Sequence, residues 1–312
     1  MRVMVTGGAG FIGSHTTDKL LDDGHSVVVL DNLSTGFREN VNERATLSEV
    51  DITNEEEVRR AVEVFRPEIV VHLAAQMDVR VSVRLPTLDA SINIIGSLNV
   101  LRAAVDSGVK KIVYSSTGGA VYGEPDVTPV PEEHPIRPIS PYGISKHTVE
   151  HYLFMYEKQY GLDYTVLRYP NVFGPRQNPD GEAGVIAIFG RQLLTGVACR
   201  IFGDGEQKRD YVFVEDVVAA NMAALTKGNG DILNIGSGVG TTVNDVYRTI
   251  AQVLGVRRAP IYESPRVGEV RSICLDATSA HSKLGWRARV DLEEGVRQTM
   301  IYLKSVRHLD GV

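Results

Sequence analysis

The first 24 residues constrain the fold most. They run "MRVMVTGGAGFIGSHTTDKLLDDG", a β-branched stretch, a glycine cluster and a helical stretch in direct succession. Val3–Thr6 predicts a buried strand, and the segment from Phe11 predicts a helix ended by Gly24. Gly7, Gly10 and Gly13 stand three residues apart between them. The first permits a tight turn. The second lets backbone N–H groups approach an anion at the helix N-terminus, and the third lets the helix pack closely on the strand. A glycine pattern with a strand before it and a helix after it predicts a dinucleotide pyrophosphate loop, with Phe11 and Ile12 inside the same turn.

The rest of the chain repeats the alternation. "SVVVL", "EIVVHLA", "KIVYSS" and "DYTVLRY" read as buried strands. Between them lie "NEEEVRRAVEVF", with Asn54 as N-cap and acids in its first turn, a long helix through about Asp106, and a helix that begins in "SPYGISK". Apolar, unalternating strands separated by helices predict an α/β fold, a doubly wound parallel sheet of Rossmann type. After about Asn171 the elements shorten. The segment from Tyr211 to about Gly236 reads as a return to the sheet. The expected organisation is therefore a sheet domain from 1–170 plus about 211–236, and a smaller α/β substrate lobe from 171–210 and 237–312, with the site in the cleft between.

Composition bounds the function. A net charge of −6 over 312 residues gives no field for nucleic acid or an anionic membrane. Two cysteines, Cys199 and Cys274, make neither a disulfide framework nor a zinc site and suit a reducing compartment. The short apolar N-terminal run reads as a strand and not a secretory signal, and no segment reads as a membrane span. A soluble, cytoplasmic protein is expected.

The second predicted strand ends at Asp31, 18 residues past Gly13. A carboxylate there accepts from the adenosine ribose hydroxyls and repels a 2′-phosphate, which selects NAD over NADP. Asp51, after the third strand, has two readings of equal weight: a partner for the adenine amino group, or a helix cap. In "SPYGISK", Tyr142 and Lys146 share a helix face. A phenol is a poor base at neutral pH. An ammonium roughly 4 Å away would favour the phenolate by about 4 kcal/mol at an effective dielectric of about 20. That would bring the phenol near the working range of a general base, but taken alone the pair reads more readily as an ordinary i,i+4 contact on an exposed face.

"TGGAGFIG", "DNLSTG", "HLAA", "YSSTGGAVYG", "YGISK" and "LRYPNVFGPRQ" occur in that order. With them the chain resembles the extended short-chain dehydrogenase/reductases, and most closely the UDP-glucose 4-epimerases and related nucleotide-sugar 4-epimerases, from about residue 2 to past residue 290. The resemblance implies Tyr142 as the base and Lys146 as its partner on the nicotinamide ribose. A hydroxyl at the end of the fifth strand comes from Ser115, Ser116 or Thr117, with Thr117 taken first and Ser116 second. For NAD it implies contacts from Gly7, Gly10, Phe11, Ile12, Gly13, Asp31, Asn32, Ser34, Gly36, Asp51, Ile52, Leu73, Ala74, Ala75, Gln76, Ser115, Tyr142, Lys146 and Pro170. For a UDP-sugar it implies Thr117, Tyr142, Asn171, Phe202, Arg209, Arg266 and Glu269, and for the size of the sugar pocket Ile273 and Cys274. It also implies a homodimer through the helix carrying Tyr142 and the long helix before it.

The implied reaction is oxidation at sugar C4 to a 4-keto intermediate and re-reduction on the other face, on UDP-glucose and UDP-galactose. UDP-N-acetylglucosamine and UDP-glucuronate are the alternatives. A 4,6-dehydratase needs an Asp-Glu pair where Gly118 and Gly119 follow Thr117, and a decarboxylase needs a carboxylate nearer than Glu124. A catalytically silent NAD sensor would not need the Thr117, Tyr142 and Lys146 set. His147 and His151 flank Glu150 in the wrong order for a zinc protease motif and are expected on an outer or subunit-contact face.

Overall fold

The computed structural model describes residues 1–180, 184–265 and 270–306. Strand β1 (Arg2–Thr6) is buried from Val3 onward because it runs through the middle of a sheet, between β2 (Ser26–Asp31) and β4 (Ile69–His72). Strand β3 (Thr46–Glu49) forms one edge, and β5 (Lys111–Thr117), β6 (Asp163–Tyr169) and β10 (Asp231–Asn234) extend the other. The order is β10-β6-β5-β4-β1-β2-β3, and every pairing is parallel. Alternate side chains feed two cores. Met4, Val28, Val70 and Ile112 face one side, and Val3, Val5, Val71 and Val113 the other.

Helices cover both faces. On the first lie α2 (Glu55–Phe65), α5 (Ser97–Asp106) and α6 (Pro141–Tyr160), and on the second α1 (Phe11–Asp22) and α8 (Val214–Ala224). The cap at Asn54 is the one read from the sequence, and the structure adds one at Ser140. Asn54 accepts from the Glu57 N–H, and Ser140 accepts from the Gly143 N–H with Pro141 in the first turn.

The long helix before β5 is more irregular than its sequence. It follows α3 (Val79–Arg84), starts as α4 (Pro86–Ala90), passes through a π-helical turn at Ser91–Gly96, and continues as α5. It also corrects one expectation. Pro86–Asp106, at 21 residues, is long and apolar enough by length and composition to cross a membrane. In this fold its apolar side, with Val100, Leu101 and Ala104, packs into the sheet core.

The remaining elements form the lobe. A three-stranded sheet, order β11-β9-β7, joins β7 (Asn171–Phe173), β9 (Lys208–Phe213) and β11 (Gly240–Thr242). A two-stranded ribbon pairs β8 (Arg200–Phe202) with β12 (Ile261–Glu263). Helices α7 (Val185–Leu194), α9 (Val243–Leu254) and α11 (Leu292–Ser305) close its core around Phe173, Phe189 and Phe213. Helix α10 (Thr278–Leu284) packs back on the main sheet domain through Ala280 and Leu284. The return to the main sheet is made by α8 and β10. Strand β9, at the start of the expected returning segment, pairs within the lobe.

Candidate active site

One cavity of about 1290 Å³ opens over the carboxyl ends of β1, β2, β4 and β5 and runs to β7 and β9 of the lobe. It exceeds the roughly 300–1000 Å³ of a pocket for one small ligand. Every residue expected to contact the cofactor lines it.

The glycine loop is built as its sequence requires. Gly7 adopts φ +69 and donates its N–H to the Leu30 carbonyl. A Cβ there would stand 2.7 Å from the Ala74 nitrogen, and a Cβ on Gly13 would stand 2.1 Å from the Gly7 carbonyl oxygen. Helix α1 has no side-chain cap and no acid in its first turn. Its first N–H groups are therefore left to an anion in the cavity.

Asp31 closes the end of β2. Its Oδ2 accepts from the Ala9 N–H at 3.0 Å and its Oδ1 from the Leu33 N–H at 2.9 Å, which leaves each oxygen a further lone pair. Asn32 accepts from the Ser34 N–H and hydroxyl and donates to Asp51 at 2.8 Å. Asp51 accepts from the Thr53 N–H and hydroxyl, which holds its carboxyl below the usual range. It lines the cavity, and the helix cap is Asn54, so the capping reading of Asp51 is set aside.

The turn after β4 is held by a buried relay. The Thr6 hydroxyl oxygen accepts from the Leu73 and Ala74 N–H groups, so its proton goes to His72 Nδ1 at 2.6 Å. His72 Nε2 then donates to Ser97, and Ser97 to the Asn93 carbonyl. Burial, reinforced by Lys146, keeps the imidazole neutral by drawing it down to about 3. This relay fixes Leu73, Ala74, Ala75 and Gln76 on the cavity wall.

Strand β5 and α6 bring the chemistry together. The Ser115 hydroxyl donates to the His72 carbonyl. The Ser116 hydroxyl donates to Glu150 at 2.6 Å, inside a buried ion pair with Arg168. The Thr117 hydroxyl shares the cavity wall with Tyr142 and favours its charged form. Of the three candidates, Thr117 is thus the one beside the phenol, and Ser116 is turned to a structural partner.

The tuning of Tyr142 differs from the expectation. Tyr142 shows part of its ring to the cavity, yet the protein around it desolvates the phenol and pushes it up to about 12. Thr117 opposes this, and the Asp89 carboxylate adds to it. Lys146 is drawn down to about 7 by burial, against the pull of Glu150 and Asp89. Its ammonium lies 4.4 Å from the centroid of the Tyr114 ring. Helical spacing does not by itself set an ammonium against the phenol, and desolvation disfavours the charge on both groups.

On the lobe side, Pro170, Asn171 and Arg209 line the cavity. Phe202 does not; β8 belongs to the outer ribbon with β12. Arg266 and Glu269 lie outside the described residues. Ile273 and Cys274 are buried and away from the cavity, Ile273 with Val121 and Tyr122, and Cys274 near Asp210. Val270 reaches the cavity instead. The sequence reading missed Gln177, Tyr211 and most of the segment from Met77 through α3 to Arg84, which line it. It also missed Asp89 and Asn93 behind the wall, although two polar residues four apart in the apolar run "LDASINIIG" were a visible signal. His147 bonds to Glu150 at 2.8 Å and meets exposed His151 edge-on, and the described residues hold no metal-binding cluster.

Comparison with known proteins agrees with this geometry. Residues 3–236 match the model of the NAD dependent epimerase/dehydratase family. A putative UDP-glucose 4-epimerase of Methanocaldococcus jannaschii is 46% identical over 97% of this chain and 98% of its own length. The UDP-glucose 4-epimerase of Thermotoga maritima, solved with UDP-glucose, superposes with a TM-score of 0.96 at 52% identity, covering 97% of this chain and 99% of its own. That of Thermus thermophilus, solved with NAD, superposes with a TM-score of 0.93 at 45% identity, covering 98% and 99%. With the glycine loop, Asp31 and the Thr117, Tyr142 and Lys146 cluster on one cavity, this chain belongs to the NAD dependent epimerase/dehydratase family, among its extended short-chain dehydrogenase/reductases.

Proposed function

We propose that the protein is a UDP-hexose 4-epimerase that interconverts UDP-glucose and UDP-galactose. The observation that carries the reading is the single cavity that joins a dinucleotide cradle to Tyr142, Thr117 and the lobe residues Asn171 and Arg209. The full-length similarity to UDP-glucose 4-epimerases supports it.

The residues present fit NAD. A glycine cradle that a Cβ would fill, the open N-terminus of α1 and the Asp31 carboxylate would hold the pyrophosphate and the adenosine ribose. When bound, NAD supplies reversible hydride acceptance at sugar C4, and its positive ring favours the phenolate. Tyr142 takes the proton of the sugar 4-hydroxyl and later returns it, and Thr117 bonds the same hydroxyl. Lys146 supports the phenolate from the same helix. Asn171 and Arg209 bind the diphosphate, far from the reacting carbon, so their binding energy orients the sugar. Gly118 and Gly119, which follow Thr117, carry no side chain that could transfer a proton. This favours epimerisation over dehydration.

The protein is further proposed to act as a homodimer in a reducing, cytoplasmic setting, in galactose metabolism. Leu88 and Ile95 on the long helix and Ile144 and Phe154 on α6 expose apolar side chains, and both cysteines are free and buried.

Proton NMR of the purified protein with UDP-galactose and no added cofactor tests the activity. Catalytic appearance of UDP-glucose is expected. No conversion even with added NAD would refute the reading.

A further inference from the structure

Asp89 lies in the last turn of α4, two residues before the π-helical turn, and is 1% exposed. Its Oδ2 accepts from Asn93 Nδ2 and from Gln76 Nε2, each at 3.0 Å. Its buried Oδ1 has no hydrogen-bond partner. A buried acceptor left unpaired is costly. An asparagine would serve the two donors equally well, so shape does not explain the carboxylate. What the carboxylate adds is charge.

The π-helical turn sets Asn93 where it can grip three elements at once. Its amide exchanges hydrogen bonds with the Gln76 N–H and carbonyl, and its Nδ2 reaches Ser145 of α6 at 3.1 Å. Ser145 immediately precedes Lys146. Widened turns of this kind recur at functional sites. Asp89 therefore sits behind both the cavity wall at Gln76 and the helix that carries the chemistry.

We propose that Asp89 is a positioning residue of the active site, whose negative charge faces Tyr142 and Lys146 across the contact between α4 and α6 and sets the charge state in which that pair works. The inference rests on Tyr142 and Lys146 forming the acid–base pair of the proposed function.

All groups that face the pair enter the balance. Lys146 meets Glu150 from its own helix, Asp89 from α4, neutral His72 from β4 and the Tyr114 ring from β5. Tyr142 meets Thr117 and Tyr114 from β5 and Asp89 from α4. Asp89 pushes both Tyr142 and Lys146 upward. Whichever group reports each limb of the pH profile, removal of the charge moves both limbs to lower pH.

The test is Asp89→Asn, which keeps the acceptor for Gln76 and Asn93, with Asp89→Ser as a second uncharged variant should the amide fail to fold. Both limbs of the kcat profile are expected to fall by roughly half a unit to one unit, with KM little changed. In protein labelled with ¹³C at lysine Cε, the Lys146 signal, assigned by its loss in Lys146→Met, should titrate at lower pH in the variant. That readout needs no turnover. A shifted Lys146 midpoint in a protein without epimerase activity would sink the proposed function and support the charge role of Asp89. Lower kcat or stability with unmoved limbs and an unmoved Lys146 midpoint would overturn the proposal and leave Asp89 a structural residue.

Discussion

Gly13→Ala should disable the cofactor site by moving one helix. A Cβ at Gly13 would lie 2.1 Å from the Gly7 carbonyl oxygen and 2.8 Å from the Gly7 carbonyl carbon and the Gly8 Cα. All three are backbone atoms, so no side chain can swing away. The N-terminus of α1 must retreat by about 1.3 Å to restore an ordinary contact of 3.4 Å. Overpacking of this kind costs roughly 1–3 kcal/mol of stability. The same movement withdraws the first-turn N–H groups from the pyrophosphate. A hydrogen bond to a charged group is worth about 1.5–3 kcal/mol, so the loss of one weakens NAD binding about 10- to 150-fold. The assay is the NAD content of the purified protein after acid release, with calorimetric titration of NAD. Gly24→Ala is the control. Gly24 also has positive φ, at +79, but a Cβ there meets nothing within 4 Å. It should cost about 1–2 kcal/mol of backbone strain and leave NAD affinity unchanged. A Gly13→Ala protein with normal stability and NAD content would refute the packing argument.

Other substitutions separate the roles around β5 and α6. Tyr142→Phe should lower kcat by about 10²- to 10⁴-fold while UDP-sugar affinity, read by calorimetry, changes little. Thr117→Val should lower kcat steeply, whereas Ser116→Ala should leave kcat nearly intact and cost about 1 kcal/mol in denaturant unfolding, because its hydroxyl serves Glu150. A reversed pattern would make Ser116 the reacting hydroxyl. Burial would raise Glu150, but the hydrogen bonds from Arg168, His147 and Ser116 outweigh it and hold the carboxyl at about 2. Its folded value is thus depressed, so its stabilisation is present above the unfolded value near 4.5 and fades as pH falls toward 2. Glu150→Gln should cost roughly 3–5 kcal/mol near neutrality and flatten the acid side of the stability profile, which urea melts across that window would show.

The sheet was legible because each central strand is apolar without alternation, and because signals such as Gly24 and Asn54 punctuate the helices. The cofactor side was equally legible. The glycine spacing and the position of Asp31 follow from the backbone geometry of one turn and one strand end. The substrate side was not, because its residues come from separate elements whose approach depends on lobe packing. Phe202 belongs to the β8–β12 ribbon and does not line the cavity, and Val270 and Gln177 reach it from loops with no periodic signal. Charge balance was the least legible feature. Helical spacing put Tyr142 and Lys146 on one face, but it could not show that burial dominates both or that Asp89, 53 residues before Tyr142, shares their field.

The most direct test of the account follows the hydrogen at C4. UDP-galactose carrying deuterium at C4 is incubated in ordinary water with the purified protein and no added cofactor, and the product is examined by NMR and mass spectrometry. Hydride removal to a resident NAD and its return to the other face predict UDP-glucose that keeps deuterium at C4. Loss of the deuterium to water would show proton abstraction in place of hydride transfer and would contradict the account.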